Sequence, residues 1–390
     1  MNRDPLSKRI GMIGGGQLAK MMIIEAKRLG VAVVTLDPDA GCPAGSISDK
    51  LIVGSVKDEN AIRELAGMAD VITYEWELIN AEALDDLERE GHTVYPSPAS
   101  LLVIQDKLLQ KKKLREHGLL VPDFAPVGNT GELRAFADKA GYPVMLKTRK
   151  DGYDGRGTYP VFDGNSIQTA YDALGGDTRA LMTEAFADFT MEISVIATRG
   201  IDGGKAFYPI PDNVHKDRIL DTSAVPANLP LGIQEKAYEA AKRVMDCLEG
   251  VGTFGIEMYV LKDGGIAINE VAPRVHNSGH YTIEGCRTSQ FENHIRAILG
   301  LPLGDTSLRH GAVIMRNLIG RGNGPAVVKG AKEACALPGV NLHVYGKSES
   351  RDGRKMGHYT VTADTMDKAR EIDGMMKDIV SITNGGGMKP

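Results

Sequence analysis

The 390-residue chain is 42% hydrophobic and 25% charged with a formal net charge of −5, a balance that excludes both an extended disordered chain and a general polyanion-binding surface, so no nucleic acid partner is expected. Its length allows two or three domains around a large buried core. Cys42, Cys247, Cys286 and Cys335 lie far apart with no C-x-x-C pair, and with a polar start from Met1 to Arg9 and no apolar run of membrane-spanning length, buried thiols in a soluble cytoplasmic protein away from any membrane are expected.

Taken in chain order, Ile10-Gly11-Met12-Ile13-Gly14 predicts a strand running into Gly15-Gly16, then a helix over 17–29 stopped by Gly30. Strands over 31–36, 51–53 and 71–73, with helices over 58–66 and 81–90, continue the alternation of a doubly wound parallel sheet. The turn Gly14-Gly15-Gly16-Gln17 suits a phosphate but lacks the G-x-G-x-x-G spacing of a dinucleotide site. Pro96-Ser97-Pro98 marks a boundary, followed by a charged helix over 106–116. A smaller α+β unit is expected next: helix 132–140, strand 143–148, a glycine-rich loop, strand 158–161, helix 166–174 and strand 180–184. The longest unit has strands over 191–198 and 206–209, a helix over 234–248, a hairpin 255–260 and 265–270 turning at Asp263-Gly264, and a helix over 290–299. Strands over 312–318, 340–345 and 358–362 follow, and 384–390 reads as a frayed tail. The pairs Met21-Met22 and Met375-Met376 read as apolar filler on helix faces.

The hairpin carries a carboxylate on each arm. Glu257 and Glu270 side by side would repel unless a cation lay between them, and hard oxygen donors at that spacing suit Mg²⁺ carrying nucleotide phosphates, with Mn²⁺ of like chemistry. Lys147 ends an apolar strand just before Gly152-Tyr153-Asp154-Gly155-Arg156-Gly157-Thr158, whose glycines let backbone N–H groups approach phosphate oxygens while Asp154 and Arg156 reach the transferring group. The stretch Asn269 to His280 packs carboxylate, guanidinium, imidazole and amide groups together, a mixture a solvated loop seldom needs. His276 and His280 are not expected to form a metal pair, since Pro273 and Gly279 oppose a helix presenting both rings, and Cys286 reads as packing.

Six segments carry a resemblance: Gly14-Gly15-Gly16-Gln17-Leu18, Tyr74-Glu75-Trp76-Glu77, Gln105-Asp106-Lys107-Leu108, the loop from Gly152 to Gly157, Arg274-Val275-His276-Asn277-Ser278-Gly279-His280-Tyr281-Thr282 and Arg354-Lys355-Met356-Gly357-His358. With Lys147, Glu184, Glu192, Glu257 and Asn269-Glu270 in order between them, the chain resembles the ATP-grasp carboxylate–amine ligases, and among these the 5-(carboxyamino)imidazole ribonucleotide synthetase family, also described as the ATPase subunit of phosphoribosylaminoimidazole carboxylase. The resemblance implies an ATP-grasp fold, α/β and α+β, with a parallel-sheet domain over 1–105, a small lid domain over 106–188 and a larger domain over 189–390.

It also implies roles. Lys107, Lys147 and the loop through Thr158 would serve the phosphates of ATP, Glu184 with Ala185, Phe186 and Ala187 the adenine edge, Glu192 the ribose and His215 another nucleotide contact. Asn269 and Glu270 would meet the nucleotide, Glu257 and Glu270 the metal. Arg274, His276 and Asn277 would position bicarbonate, carboxyphosphate or the amine of 5-aminoimidazole ribonucleotide, with Asp154 or His276 handling a proton. Gly16, Gln17, Leu18, Lys20, Glu75, Arg354 and Lys355 would hold that ribonucleotide, and a homodimer is implied. Two departures bear on the amine substrate: the family's Gly-Arg after the first motif is Ala19-Lys20 here, and Glu-Phe-Glu-Asn is Glu75-Trp76-Glu77-Leu78. Alternatives are another ligase of the superfamily, such as formate-dependent glycinamide ribonucleotide transformylase, or a nucleotide sensor without turnover.

Overall fold

The computed structural model describes residues 4–152 and 157–385. Tyr153, Asp154, Gly155 and Arg156 of the expected loop, and 386–390 of the expected tail, lie outside the described residues. Four parallel strands stand in the order Lys50–Val53, Ala32–Asp37, Arg9–Ile13, Val71–Tyr74. Arg9–Ile13 is buried from Ile10 onward without alternation, because helices cover both faces of the sheet. Asp58 and Asn80 accept from the amides of Asn60 and Ala83 to start the helices Glu59–Ala66 and Ala81–Arg89. Gly30, at φ +74°, lets the chain leave the helix Gln17–Arg28. The Pro-Ser-Pro stretch does more than mark a break: Ser97 caps, and Pro98 begins, an unexpected helix Pro98–Gln105.

A second sheet is antiparallel, in the order Phe124–Val127, Leu181–Ala185, Val144–Thr148, Thr158–Val161. Pro126, which donates nothing to a ladder, sits on its edge strand. Helices Thr130–Ala140 and Ile167–Ala173 cover one face through Leu133, Ala137, Ile167 and Ala170. Strand alternation therefore buries Val144, Leu146 and Thr148 and turns Met145 and Lys147 toward the other face.

The largest sheet runs Ile266–Ala272, Gly252–Leu261, Phe189–Arg199, Asp212–Lys216, Ile219–Val225, Ala312–Ile319, Lys355–Ala363, Val340–Val344, with Lys205–Phe207 added beside Phe189–Arg199. Helix Leu231–Leu248 lays Ala237, Ala241, Val244 and Met245 against its Ile256 and Ile268. Met22 and Ile23 of the first helix share a core with Phe291, Ile295 and Ile298 of helix Gln290–Leu299, tying the parallel sheet to the rest of the chain; each such side chain is worth roughly 1.5–3 kcal/mol when fully buried. Met376 is buried in helix Met366–Ile379 but Met375 is exposed, so only one of that pair fills a core. Two further expectations need correction. Ser381–Asn384 is a strand paired with Gly324–Lys329, so the tail does not fray from 384, and Cys335 is exposed rather than buried.

Candidate active site

The carboxylate hairpin comes first. Glu257 and Glu270 are direct partners across Gly252–Leu261 and Ile266–Ala272, and the register slips between Glu257 and Met258, so that Asn269 is an extra residue. This bulge breaks the alternation and leaves Asn269 and Glu270 half-buried in succession, with the Asn269 amide donating to Glu257 Oε2 at 3.2 Å. Gln110 holds the bulged strand from behind, its amide donating to the Val271 carbonyl and accepting from the Val271 N–H, both at 3.0 Å. Burial pushes the Glu257 carboxyl up and the neighbouring Glu270 charge adds to this. Burial acts on Glu270 in the same sense, yet Lys107, 2.5 Å away, outweighs it and holds that carboxyl below its usual range. Proximity thus splits the pair.

Lys107 opens helix Lys107–Glu116, whose cap Asp106 accepts from Leu108 N and is gripped by the Arg149 guanidinium. One turn on, Lys111 reaches Asn269 O at 3.1 Å and Glu184 Oε2 at 2.9 Å. Lys147, turned to this face by its strand, pairs with Glu184 Oε1. Lys111 escaped notice within Lys111-Lys112-Lys113, although its i+4 relation to Lys107 puts both on one helix face. Burial lowers its ammonium pKa even with Glu184 beside it. Glu184 is thereby enclosed by two lysines rather than open to a ligand edge; its neighbours Ala185 and Ala187 are half-buried and Phe186 is 54% exposed.

Burial by itself would raise the Glu184 carboxyl, but Lys147 and Lys111 hold it at about 2 against an ordinary 4.5. A depressed carboxylate contributes stability above its unfolded pKa and loses that contribution as the pH falls toward the folded value. Urea titrations of the parent and Glu184→Gln should therefore show a gap in stability that is full above pH 4.5 and closes as acid approaches pH 2. A gap that ignores pH over that range would show that the ion pairs do not form.

The loop ends meet at Lys147. Thr158 pairs with it in register, the Thr148 N–H donates to Gly157 O at 2.8 Å, and a Cβ on Gly157, at φ +77°, would lie 3.2 Å from the Gly152 Cα. Glu192 accepts from His215 Nδ1 at 2.6 Å, and although burial opposes it, this contact raises the imidazole pKa.

Arg274 forks onto Glu77, Nε at 2.5 Å and Nη2 at 3.0 Å, joining the loop after the hairpin to the segment after Val71–Tyr74. Beside it, His276 Nε2 lies 3.5 Å from Glu257 Oε1. A methyl at Gly255 would come within 2.5 Å of His276 Cγ, so only glycine lets the ring lie against that strand. Asn277 is buried with both amide atoms unpartnered. His280 is fully buried at the end of the 3-10 turn Asn277–Gly279, its Nδ1 3.4 Å from Gln290 Nε2 and its ring beside that of His358.

At the far end, Glu75 accepts from the amides of Gly16 and Ala19, so the helix N-terminus expected to receive a substrate anion is capped by the protein's own carboxylate. Gly14, at φ +90°, makes room: a Cβ there would meet the Glu75 Cγ at 2.7 Å. Gln17 is half-buried, but Leu18 lies in the hydrophobic core and its side chain cannot serve a ligand. Trp76, the single tryptophan, is 37% exposed next door. Lys20 donates to Tyr345 O at 3.2 Å, Lys347, which sequence had not singled out, to Lys355 O at 2.8 Å, and Arg354 to Glu349 O at 2.9 Å. Lys355 is near enough to His215 and His276 for its charge to oppose their protonation. The structure thus brings Lys107, Lys147, Glu184, Glu257, Asn269, Glu270, Arg274, His276 and Lys355 toward one cleft.

An antiparallel lid sheet facing a carboxylate hairpin across a row of lysines defines the ATP-grasp class. Consistent with this, residues 7–105 match the ribonucleotide synthetase preATP-grasp domain, 112–291 the ATP-grasp domain and 313–372 the phosphoribosylaminoimidazole carboxylase C-terminal domain. N5-carboxyaminoimidazole ribonucleotide synthase of Brucella melitensis is 42% identical, covering 90% of this chain and 95% of its own. The crystal structure of N5-carboxyaminoimidazole ribonucleotide synthetase from Thermotoga maritima superposes with a TM-score of 0.88 at 40% identity, covering 97% of this chain and 99% of its own. The synthase from Aspergillus clavatus in complex with ADP and 5-aminoimidazole ribonucleotide gives 0.89 at 37% identity, with 96% and 99% covered. The chain belongs to the N5-carboxyaminoimidazole ribonucleotide synthase family.

Proposed function

We propose that the cleft carboxylates the exocyclic amine of 5-aminoimidazole ribonucleotide, consuming ATP and bicarbonate and giving 5-(carboxyamino)imidazole ribonucleotide for purine (IMP) biosynthesis. The observation that carries this is the meeting of Lys107, Lys111 and Lys147 with the Glu257–Glu270 hairpin in a cleft that also receives Lys355. A bicarbonate oxygen bonds to the γ-phosphorus as the bond to ADP breaks, and the amine nitrogen then bonds to the carboxyl carbon of carboxyphosphate as phosphate departs. Lys107, Lys147 and the loop around Gly152 and Gly157 face the triphosphate; the backbone of Ala185 to Ala187 meets adenine, and Glu192 with His215 the ribose. Because Glu184 is enclosed, its part is to hold Lys111 and Lys147 in place. Arg274, locked to Glu77, fixes the loop from which His276 and the unpartnered Asn277 amide face bicarbonate and its phosphorylated product. The substrate phosphate falls to Lys20, Lys347, Arg354 and Lys355. Exclusion of water protects the intermediate.

The hairpin fits a hard divalent cation. Among the described residues no three His, Cys, Asp or Glu side chains form a metal cage, but Glu257, Glu270 and the buried, unpartnered Asn269 Oδ1 are oxygen donors that leave the other positions to phosphate and water oxygens. Mg²⁺, or Mn²⁺, held there by Glu257, Glu270 and Asn269 would offset the negative charge of phosphoryl transfer. Residues 1–105, 106–188 and 189–390 act as the ribonucleotide-binding, lid and metal-bearing units of a homodimer. Four free cysteines suit a reducing, cytoplasmic setting, and no helix of the described residues is long and apolar enough to cross a membrane. Formyl transfer to glycinamide ribonucleotide, or sensing without turnover, accounts less well for relatives that carry the carboxylating name along nearly their whole length. ADP release is expected only when ATP, bicarbonate and 5-aminoimidazole ribonucleotide are all present. Release driven by formate and glycinamide ribonucleotide would overturn the assignment.

A further inference from the structure

A buried hydrogen-bonded chain reaches His276 from behind. Ser223 Oγ donates to Asn213 Oδ1 at 2.7 Å, Asn213 Nδ2 to Ser194 Oγ at 2.8 Å, and Ser194 Oγ to Ser278 Oγ at 2.7 Å, which lies 2.8 Å from His276 Nδ1. It crosses three neighbouring strands, and Ser223, Ser194, Asn213 and Ser278 are all buried. Its polarity follows from proton counting. With the Asn213 amide nitrogen donating, Ser194 accepts and passes its one hydroxyl proton to Ser278, which keeps its own proton available for His276 Nδ1. The backbone agrees independently: the Ser278 N–H, which cannot accept, also points at Nδ1, at 3.4 Å. Nδ1 is therefore an acceptor, and the ring proton of a neutral imidazole belongs on Nε2, the atom facing Glu257 and the cleft.

We propose that Asn213, Ser194 and Ser278 are positioning residues that lock His276 as the Nε2–H tautomer, making it a hydrogen-bond donor to the carboxyl oxygen of the reacting group and not the base that removes the amine proton. This rests on the reading of the cleft as a carboxylation site. As the nitrogen bonds to the carboxyl carbon and the bond from that carbon to the phosphate oxygen breaks, negative charge on the carboxyl oxygen is met by the Nε2–H, and the amine proton departs with the phosphate.

The full-length chain, labelled with ¹⁵N at histidine and assigned by the resonance missing in His276→Gln, tests this directly. Expected for the parent is a pyridine-type Nδ1 and a pyrrole-type Nε2; the reverse pattern overturns the proposal without recourse to a relay variant. Ser194→Ala, which interrupts the relay, should mix the two tautomers and lower kcat roughly 10- to 100-fold, the scale seen when a metal-ligating histidine loses the partner that orients it, while KM for ATP stays within about two-fold, Ser194 itself being assigned no nucleotide contact. Full kcat in Ser194→Ala would also overturn it. Undiminished bicarbonate-dependent turnover in His276→Gln would instead remove His276 from the reaction while leaving the tautomer as found, so failure of the site assignment and failure of the relay are distinguishable.

Discussion

Glu270→Gln is expected to fold but to lose roughly 10²–10³-fold of its ATP-dependent turnover, the scale on which a single preorganised electrostatic contact acts. The substitution keeps size and hydrogen-bonding reach and removes only charge. Two consequences follow from the geometry. One anionic donor of the Glu257–Glu270 pair is lost to the proposed metal, and Lys107, 2.5 Å away and half-buried, is left without its counter-ion. Thermal unfolding should fall modestly, and the residual rate should climb with Mg²⁺ well past the concentration that saturates the parent. A parent-like rate at limiting Mg²⁺ would remove Glu270 from the metal site.

Lys147→Ala should weaken ADP binding by about 10- to 150-fold, the equivalent of the roughly 1.5–3 kcal/mol that a hydrogen bond to a charged group is worth. The strand Val144–Thr148 turns Lys147 to the cleft face, and Glu184 holds it there. Lys111 stays in place after the substitution, so the loss should be partial and Glu184 should keep one partner. Calorimetric titration of ADP reads this directly; equal affinity in parent and variant would mean that Lys147 serves Glu184 alone.

The parts legible in the sequence were those governed by local pattern. The alternation of apolar strands and capped helices over the first hundred residues, and the Asp263-Gly264 turn with carboxylates flanking it, read correctly because turn chemistry and hydrophobic period are nearest-neighbour properties. The hairpin joining Asp212–Lys216 to Ile219–Val225 went unseen because Asp217 and Arg218, at φ +51° and +66°, take a bend that glycine or asparagine usually announces. The bulge at Asn269 also left no trace in composition, yet it turns two successive side chains to the cleft. Ser194, Asn213 and Ser223 were missed, and Glu77 and Ser278 stood inside motifs without a role, because partners drawn from segments far apart in sequence have no spacing to recognise; Lys111 had its i+4 spacing to Lys107 but was masked by the lysines that follow it. Glu75 was assigned to the ribonucleotide; that it caps the helix beginning at Gln17 depends on the packing of Gly14 and Gly16 around it.

That capped turn carries an optical consequence. The chain has one tryptophan, Trp76, and it stands partly exposed beside the carboxylate that occupies the helix N-terminus. Its emission therefore comes from a single known place, with no second indole to dilute it. If an arriving anion takes the amides of Gly16 and Ala19 and dislodges Glu75, the indole next to it changes its surroundings, and the fluorescence of the native protein reports that exchange without an added dye.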